Sequence, residues 1–521
     1  MTIKIIMLIV FFSIMIGVGI YSRRHATNVN DFVLGGRSVG PWLTAFAYGT
    51  SYFSAVVFIG YAGQFGWKYG IATTWVGIGN ALIGSLLAWV LMGRRTRVMT
   101  RHLDAKTMPD FFGKRFESKS LKIVASFIVF IFLIPYTASV YKGLSTLFNM
   151  AFSIDYKYCV IAMAALTGVY VILGGYMATA INDFIQGIIM LVGIVCVVVF
   201  VLDGQGGFME AIRKLSEIES DMPVTMGQKG AFASFFGTDP AGLLGVVVLT
   251  SLGTLGLPQM VQKFYAIKSE KAVKTGTVVS TFFAIVVAGG CYFLGGFGRL
   301  FDSESFHNAN GIDYDAIIPA MLSTLPDILI GVVIVLVLSA SMSTLSSLVL
   351  TSSTTFTLDF IKDSMFKKME DKKQLLIMRI LIVFFLALSV ILALNPPTFI
   401  AQLMGISWGA LAGAFLAPFV YGLFWKGVTK ASVWASFIFG VGITVANIPF
   451  KFIASPINCG AIAMVGGLII VPIVSLITPH MKKEKMDEVF SCYDEEVHVK
   501  KVLSLPGDDE DDEENKTSET K

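Results

Sequence analysis

Tyr48-Gly49-Thr50-Ser51-Tyr52-Phe53-Ser54 sits in the middle of an apolar run that extends from about 41 to 67. Thr250-Ser251-Leu252-Gly253-Thr254-Leu255-Gly256-Leu257-Pro258 interrupts a second run, about 240 to 263, in the same manner. Glycine loses the most backbone freedom on ordering and proline lacks the N–H that continues the ladder, so a helix is weakest at these points. One such interruption could equally serve close helix packing. Two at corresponding places describe a pair of broken helices.

Of 521 residues, 55% are hydrophobic and only 15% charged. That is more apolar surface than a soluble core of this size can hide, and the chain belongs in a bilayer. About 20 apolar residues in helix cross a hydrocarbon layer of about 30 Å. Such runs recur at about 3–22, 41–67, 71–92, 121–149, 157–176, 181–203, 240–263, 274–300, 326–360, 375–395, 398–424, 431–450 and 459–478. The expectation is an all-α membrane protein of about thirteen transmembrane helices. The two breaks fall in the second and seventh runs, an offset of five helices, which reads as two five-helix halves, helices 2–6 and 7–11, of inverted topology. In secondary transporters this arrangement sets a binding site at the midplane, where unwound carbonyls and half-helix ends face ions and substrate. Met1 to Tyr21 is read as a retained first helix rather than a signal peptide, since Arg23 and Arg24 follow it where a small-residue cleavage site would stand.

The net charge of +4 is distributed over short loops, not along a stripe with interleaved aromatics, so nucleic-acid binding has no support. Basic residues occupy alternate loops: Arg23, Arg24 and Arg37; Arg94, Arg95, Arg97, Arg101, Lys106, Lys114 and Arg115; Lys263, Lys268, Lys271 and Lys274; Lys362, Lys367, Lys368, Lys372 and Lys373. By the positive-inside rule these loops are cytoplasmic. The loop after the eighth helix carries Asp302, Glu304, Asp313 and Asp315, as an outside loop can. A multi-pass plasma-membrane protein with its N-terminus outside and C-terminus in the cytoplasm is expected. Residues 1–480 form the transmembrane domain in this reading, and 481–521 a disordered acidic cytoplasmic tail whose run Asp508 to Glu514 is almost pure carboxylate. The segment 204–239 is expected to hold a short surface helix near Phe208 to Ile218. Cys159, Cys196, Cys291, Cys459 and Cys492 are scattered and read as buried thiols, not disulfides or a metal site.

Asp183 stands among Ile181, Phe184 and Ile185 at the start of the sixth run. A charge within the membrane costs about 3 kcal/mol. It reads either as an N-cap at the cytoplasmic helix end, where carboxylates are favoured, or as a functional group, with Gln186 on the same face. The ninth run contains Ser339-Ala340-Ser341-Met342-Ser343-Thr344-Leu345-Ser346-Ser347. Ala340, Ser343, Thr344 and Ser347 share one helical face by their spacing. Hydroxyl and carbonyl oxygens suit a weakly bound monovalent cation better than a divalent one, which takes more carboxylates. Small hydroxyl residues also pack helices or bond to their own backbone. Beside an intramembrane Asp and two broken helices, the ion site is the better reading.

With those residues laid out, the chain resembles the sodium:solute symporter family, in its proline and pantothenate transporter branch. The likeness covers about residues 1–480 and is carried by Asp31-Phe32-Val33-Leu34-Gly35-Gly36-Arg37-Ser38 with Gly40-Pro41, by Gly174-Gly175-Tyr176 leading to Asn182-Asp183 and Gln186, and by the Ser run ending in Leu358-Asp359. It implies the five-helix inverted repeats of the leucine-transporter fold. It implies a sodium site made by the carbonyls of Thr50, Phe53 and Ala340 with the hydroxyls of Ser343 and Thr344. Asp183, Ser343, Ser346 and Ser347 match members that couple a second sodium. The substrate positions would be Tyr52, Val57, Tyr136, Thr250, Thr254 and Gln402. Proline carriers have an acidic residue in place of Tyr52 and aromatics in place of Thr250 and Thr254. Tyr136 matches the proline branch, whereas Leu257-Pro258 is similar to the pantothenate branch. Lys142 reads as a lysine snorkelling from a helix end, or as one drawing an anionic substrate into an outside vestibule.

The expected activity is therefore sodium-coupled uptake of a small solute, an amino acid or a small carboxylate such as pantothenate, by alternating access. Its partners are the solute, the co-transported sodium ion and the lipid bilayer, with no obligate protein partner evident. A proton-coupled carrier with Asp183 titrating is the alternative. A membrane sensor or channel lacks a signalling domain or a filter-like carbonyl repeat, and no nucleophile, base and orienting group assemble as in an enzyme.

Overall fold

Backbone polar groups have no water to bond in a hydrocarbon layer, so runs of this composition close their hydrogen bonds within helices. The computed structural model describes residues 2–23, 28–304, 307–308, 311–366 and 368–493. Arg24, Lys367 and the acidic run Asp508 to Glu514 lie outside the described residues. The principal helices are α1 (Thr2–Ser22), α2 (Pro41–Tyr52), α3 (Val56–His102), α4 (Lys119–Phe152) and α5 (Tyr156–Asp203). They continue as α6 (Pro240–Gly256), α7 (Pro258–Ala266), α8 (Glu270–Gly295), α9 (Asp327–Thr355) and α10 (Asp371–Leu394). The last are α11 (Ile400–Phe424), α12 (Lys430–Phe450), α13 (Pro456–Ile477) and α14 (Lys483–Phe490). The surface helix between α5 and α6 spans Phe208–Glu217. Among the described residues, ten helices are long and apolar enough to cross a membrane, eleven when α6 and α7 count as one bent span.

Both interruptions foreseen in the sequence are present, and each begins with an extended residue. Phe53 ends α2 at φ −92°, ψ 118°, and Leu257 separates α6 from α7 at φ −85°, ψ 124° with a 43° bend. Pro258 then occupies the first turn of α7, where its missing N–H leaves no intrahelical bond unmade. Two further breaks lie inside α3 and α5, whose 47 and 48 residues are about twice one bilayer crossing. Gly70 (φ 62°, ψ −144°) and Gly175 (φ 55°, ψ −146°) take almost the same backbone geometry, one that glycine alone adopts readily.

The centre of the bundle is α9 and α11, 78% and 89% buried over their most apolar stretches, against 22% for α1 and 33% for α10 and α12. α9 packs on α2, α4 and α5, and α11 on α4, α12 and α13. Outer helices present exposed Ile9, Ile380, Ile438 and Leu476, the lipid-facing surface of a membrane protein. The Gly35-Gly36-Arg37 motif has a structural use: it turns the chain so that the Arg37 guanidinium donates to the carbonyls of Ala105 (2.6 Å), Thr100 (3.4 Å) and Tyr265 (3.4 Å). Asp359 is buried beside Lys122 (3.4 Å) and accepts a hydrogen bond from the Thr107 hydroxyl.

Four sequence readings are corrected. Lys263, grouped with loop lysines, is 2% exposed within α7. Asp315, grouped with loop carboxylates, is 4% exposed and pairs with Lys142 at 2.6 Å, so Lys142 neither snorkels nor waits for an anion. Asp183 is not an N-cap, because α5 continues helical from Tyr176 through it. The tail is ordered over Lys483–Tyr493, where Met486, Val489, Phe490 and Cys492 are buried against the bundle. No described cysteine is disulfide-bonded, and all but the half-buried Cys196 are buried.

Candidate cation and solute site

Where α2 stops at Tyr52, the last carbonyls of the helix lose their intrahelical donors. Hydroxyls of α9 stand opposite them. The Ser343 hydroxyl donates to the carbonyls of Thr50 (3.1 Å) and Ala340 (3.0 Å). The Thr344 hydroxyl faces the carbonyls of Thr50 (3.2 Å), Phe53 (3.1 Å) and Ala340 (3.1 Å). The Ser341 hydroxyl accepts from the Ala55 N–H at 3.3 Å, on the other side of the break. Thr50, Phe53, Ala340, Ser343 and Thr344 are all fully buried. Five neutral oxygens thus converge on one point between two packed helices, a donor set that fits a singly charged hard cation. No described group of three or more His, Cys, Asp or Glu could hold a metal ion.

The residues of the possible second site lie further along α9. The Ser346 hydroxyl donates to the Ser343 carbonyl (2.9 Å), and the hydroxyls of Ser347 and Ser51 are 2.8 Å apart. Asp183, fully buried on α5, faces the Lys263 ammonium at 3.8 Å, and that ammonium donates to the Ser347 hydroxyl at 3.1 Å. Lys263 is the residue that reading the sequence missed here. A lysine within the apolar run 240–263 was the available signal.

Tyr52 and Tyr136, both buried, meet at Trp408 of α11, with ring centroids 6.2 and 5.9 Å away. Asn80 lies beside Tyr52 and accepts a hydrogen bond from the Ser251 hydroxyl at 3.3 Å. The Tyr52 and Tyr136 hydroxyls, the Trp408 indole N–H and the Asn80 amide nitrogen make no well-formed hydrogen bond, although Asn80 faces the Tyr52 hydroxyl and Trp408 and Ser54 face the Tyr136 hydroxyl. Such groups are costly to bury unused; together they form an aromatic box with four donors unspent. Val57 is buried on the first turn beyond the break. The Thr250 hydroxyl bonds back to the Val246 carbonyl (2.9 Å), whereas Thr254 reaches across to the Gly84 carbonyl (3.0 Å). Gln402 sits about 9 Å along α11 from Trp408 and lines a separate cavity of about 380 Å³ with Thr398, Asn447 and Lys451. The structure does not bring it to the tyrosines. Asn80 and Trp408 escaped the sequence reading, although an amide amid the run 71–92 was a visible signal.

Broken helices, a neutral oxygen cluster at one break and an enclosed polar box beside it define a secondary transporter of the membrane. The chain belongs to the sodium:solute symporter family, whose model matches residues 32–440. It is 30% identical over 448 residues to sodium/proline symporter 2 of Staphylococcus saprophyticus, covering 84% of this chain and 85% of that one. It is 30% identical over 495 residues to the sodium/proline symporter of Staphylococcus aureus strain JH9, covering 92% and 93%. The osmoregulated proline transporter OpuE of Bacillus subtilis is 29% identical over 439 residues, covering 84% and 87%. Among solved structures, a sodium-coupled sialic acid symporter in a substrate-bound outward-open state superposes with a TM-score of 0.74 at 17% identity, covering 92% of this chain and 98% of that one. At that identity the likeness is one of fold. The protein is a sodium-coupled solute symporter of the plasma membrane, and not an enzyme.

Proposed function

We propose that the chain takes up a small solute of the proline-like class, one bearing a carboxylate, with sodium from outside by alternating access. The observation that carries this reading is that the five-oxygen cluster and the aromatic box share the break at Phe53. Thr50 and Phe53 offer carbonyls to the cation while Tyr52, between them, reaches Trp408. A sodium ion on Thr50, Phe53, Ala340, Ser343 and Thr344 would hold the broken helix in the shape that presents Tyr52, and so raise the affinity for solute. Unspent donors at Tyr52, Asn80, Tyr136 and Trp408 suit an acceptor-rich group such as a carboxylate. Val57, Thr250 and Thr254 close the apolar and hydroxyl sides, and Gln402 meets solute in the outer cavity. The relatives named as proline carriers support an amino acid; the absence of an acidic residue at Tyr52 extends the class to pantothenate-like acids. With α3 divided at Gly70 and α5 at Gly175, and with α2 joined to the first part of α3 and α6 to α7, the count is thirteen, which supports reading helices 2–6 and 7–11 as inverted repeats. The basic loops set the C-terminus inside. Sodium then leaves to the cytoplasm past Asp183.

The test is a thermal-shift screen of the purified full-length protein with proline, other amino acids, pantothenate and sugars, in sodium chloride and in choline chloride. A true solute stabilises only in sodium. Uptake into vesicles that follows a pH gradient in sodium-free buffer would overturn sodium coupling in favour of proton coupling.

A further inference from the structure

Asp183 has no hydrogen bond to either carboxylate oxygen, and its charge lies wholly inside the bundle. The charge facing it is the ammonium of Lys263, 3.8 Å away and equally enclosed. That ammonium is seated on three elements. It donates to Ser347 of α9 at 3.1 Å, lies 5.1 Å from the centre of the Tyr176 ring at the Gly175 break, and rides on α7, the short half of the second broken helix. Ser347 in turn meets Ser51 of α2 at 2.8 Å, one residue from the Thr50 carbonyl. The hydroxyls that could complete a second cation site are otherwise engaged. Ser346 donates to the Ser343 carbonyl and Ser343 to the carbonyls of Thr50 and Ala340.

We infer that Lys263 is a resident cation, its ammonium filling the place between Asp183 and Ser347 that a second sodium ion would take, so that the carrier moves one sodium ion per cycle. The inference rests on the sodium reading proposed above. A free ion entering here would have to displace the ammonium from Ser347 or sit beside a like charge in a buried site, where screening is weak. The carboxylate is already neutralised by a charge that is covalently attached and cannot leave with the solute. Lysine is suited to this position because its ammonium is a compact point charge on a flexible stem, able to stay with Asp183 while α7 moves against α5.

Equilibrium dialysis of the full-length protein against radiolabelled sodium reads the result without a known solute. One ion per chain and a Hill slope near one are expected for the wild type. Two ions per chain would overturn the inference while leaving sodium coupling intact; none would overturn both. Lys263→Gln should raise the count to two, since Asp183 and Ser347 then face an unfilled cavity, and a count that stays at one would overturn the displacement argument. The wild-type count decides the question whether or not that variant folds.

Discussion

At the scale of single residues, the cation cluster is short of protons. Two hydroxyls, Ser343 and Thr344, face three carbonyls, and the Thr344 hydroxyl lies 3.1–3.2 Å from all of them while owning one hydrogen. The surplus lone pairs make the point electron-rich, and a cation is admitted by turning two C–O bonds, with no repacking. Replacing either hydroxyl by hydrogen removes one ligand and leaves carbonyls buried without a donor. Ser343→Ala and Thr344→Ala should each raise the sodium concentration for half-maximal thermal stabilisation by about 10-fold, the equivalent of about 1.4 kcal/mol, and unchanged titration midpoints in both would remove the cluster as the sodium site. The hydroxyl face of α9 and the glycine-hydroxyl break of α2 are visible in one dimension, whereas the set of five was named through the resemblance to the family. The ion pairs could be read in neither way. Lys142 and Asp315 are 173 positions apart, and Lys263 stands beside Lys268 and Lys271 at the end of an apolar run, where a loop lysine is the ordinary reading. Trp408 gave no warning either, since a tryptophan in an apolar helix is unremarkable until two tyrosines meet it.

At the scale of elements, the helices are organised by four interruptions of two kinds. Phe53 and Leu257 are extended residues, the first of which frees carbonyls for the cation cluster, whereas Gly70 and Gly175 are positive-φ breaks within a long helical run. The first kind was readable from its glycine, hydroxyl and proline neighbours. The second was read only as the end of one apolar run and the start of another, because a glycine's presence does not announce its φ. A Cβ at Gly175 would also lie 2.7 Å from the Phe32 ring and 2.8 Å from the Phe32 carbonyl oxygen. Gly175→Ala should therefore destabilise the protein by about 1–3 kcal/mol from backbone strain, with the clash adding to it, and lower the thermal midpoint. The same substitution at Gly17, which has nothing within 4 Å of its would-be Cβ and lies inside α1, should not lower the midpoint and should raise it slightly.

At the scale of the whole molecule, α14 docks on the chain around His102, Arg115 and Lys426. Its Glu488 carbonyl meets the His102 ring at 3.0 Å, Lys426 pairs with Asp487 at 2.7 Å, and the Tyr493 hydroxyl donates to the Arg95 carbonyl at 3.2 Å. Arg115, fully enclosed, donates to the Gly422 carbonyl and to Met486 Sδ and lies 4.9 Å from the Phe490 ring. Burial pulls the Arg115 guanidinium down to about 10, which leaves it charged at neutral pH. The alternation of charge and apolar residues in 483–493 is too short to distinguish a docked helix from a solvated segment, which is why disorder was expected there. Ending the chain after Tyr493 should leave the thermal midpoint and sodium-dependent stabilisation unchanged, whereas ending it after Met481 should lower the midpoint by several degrees; equal midpoints would show that the docking contributes nothing. The order of synthesis gives this helix another meaning. The partners it covers, at positions 95, 102 and 115, leave the ribosome 371 to 398 residues ahead of it. Arg115 consequently meets the Gly422 carbonyl once α11 is in place and receives its cover of Met486 and Phe490 only after α12 and α13 have followed. A chain ending before α14 would therefore carry Arg115 with that side of its guanidinium open.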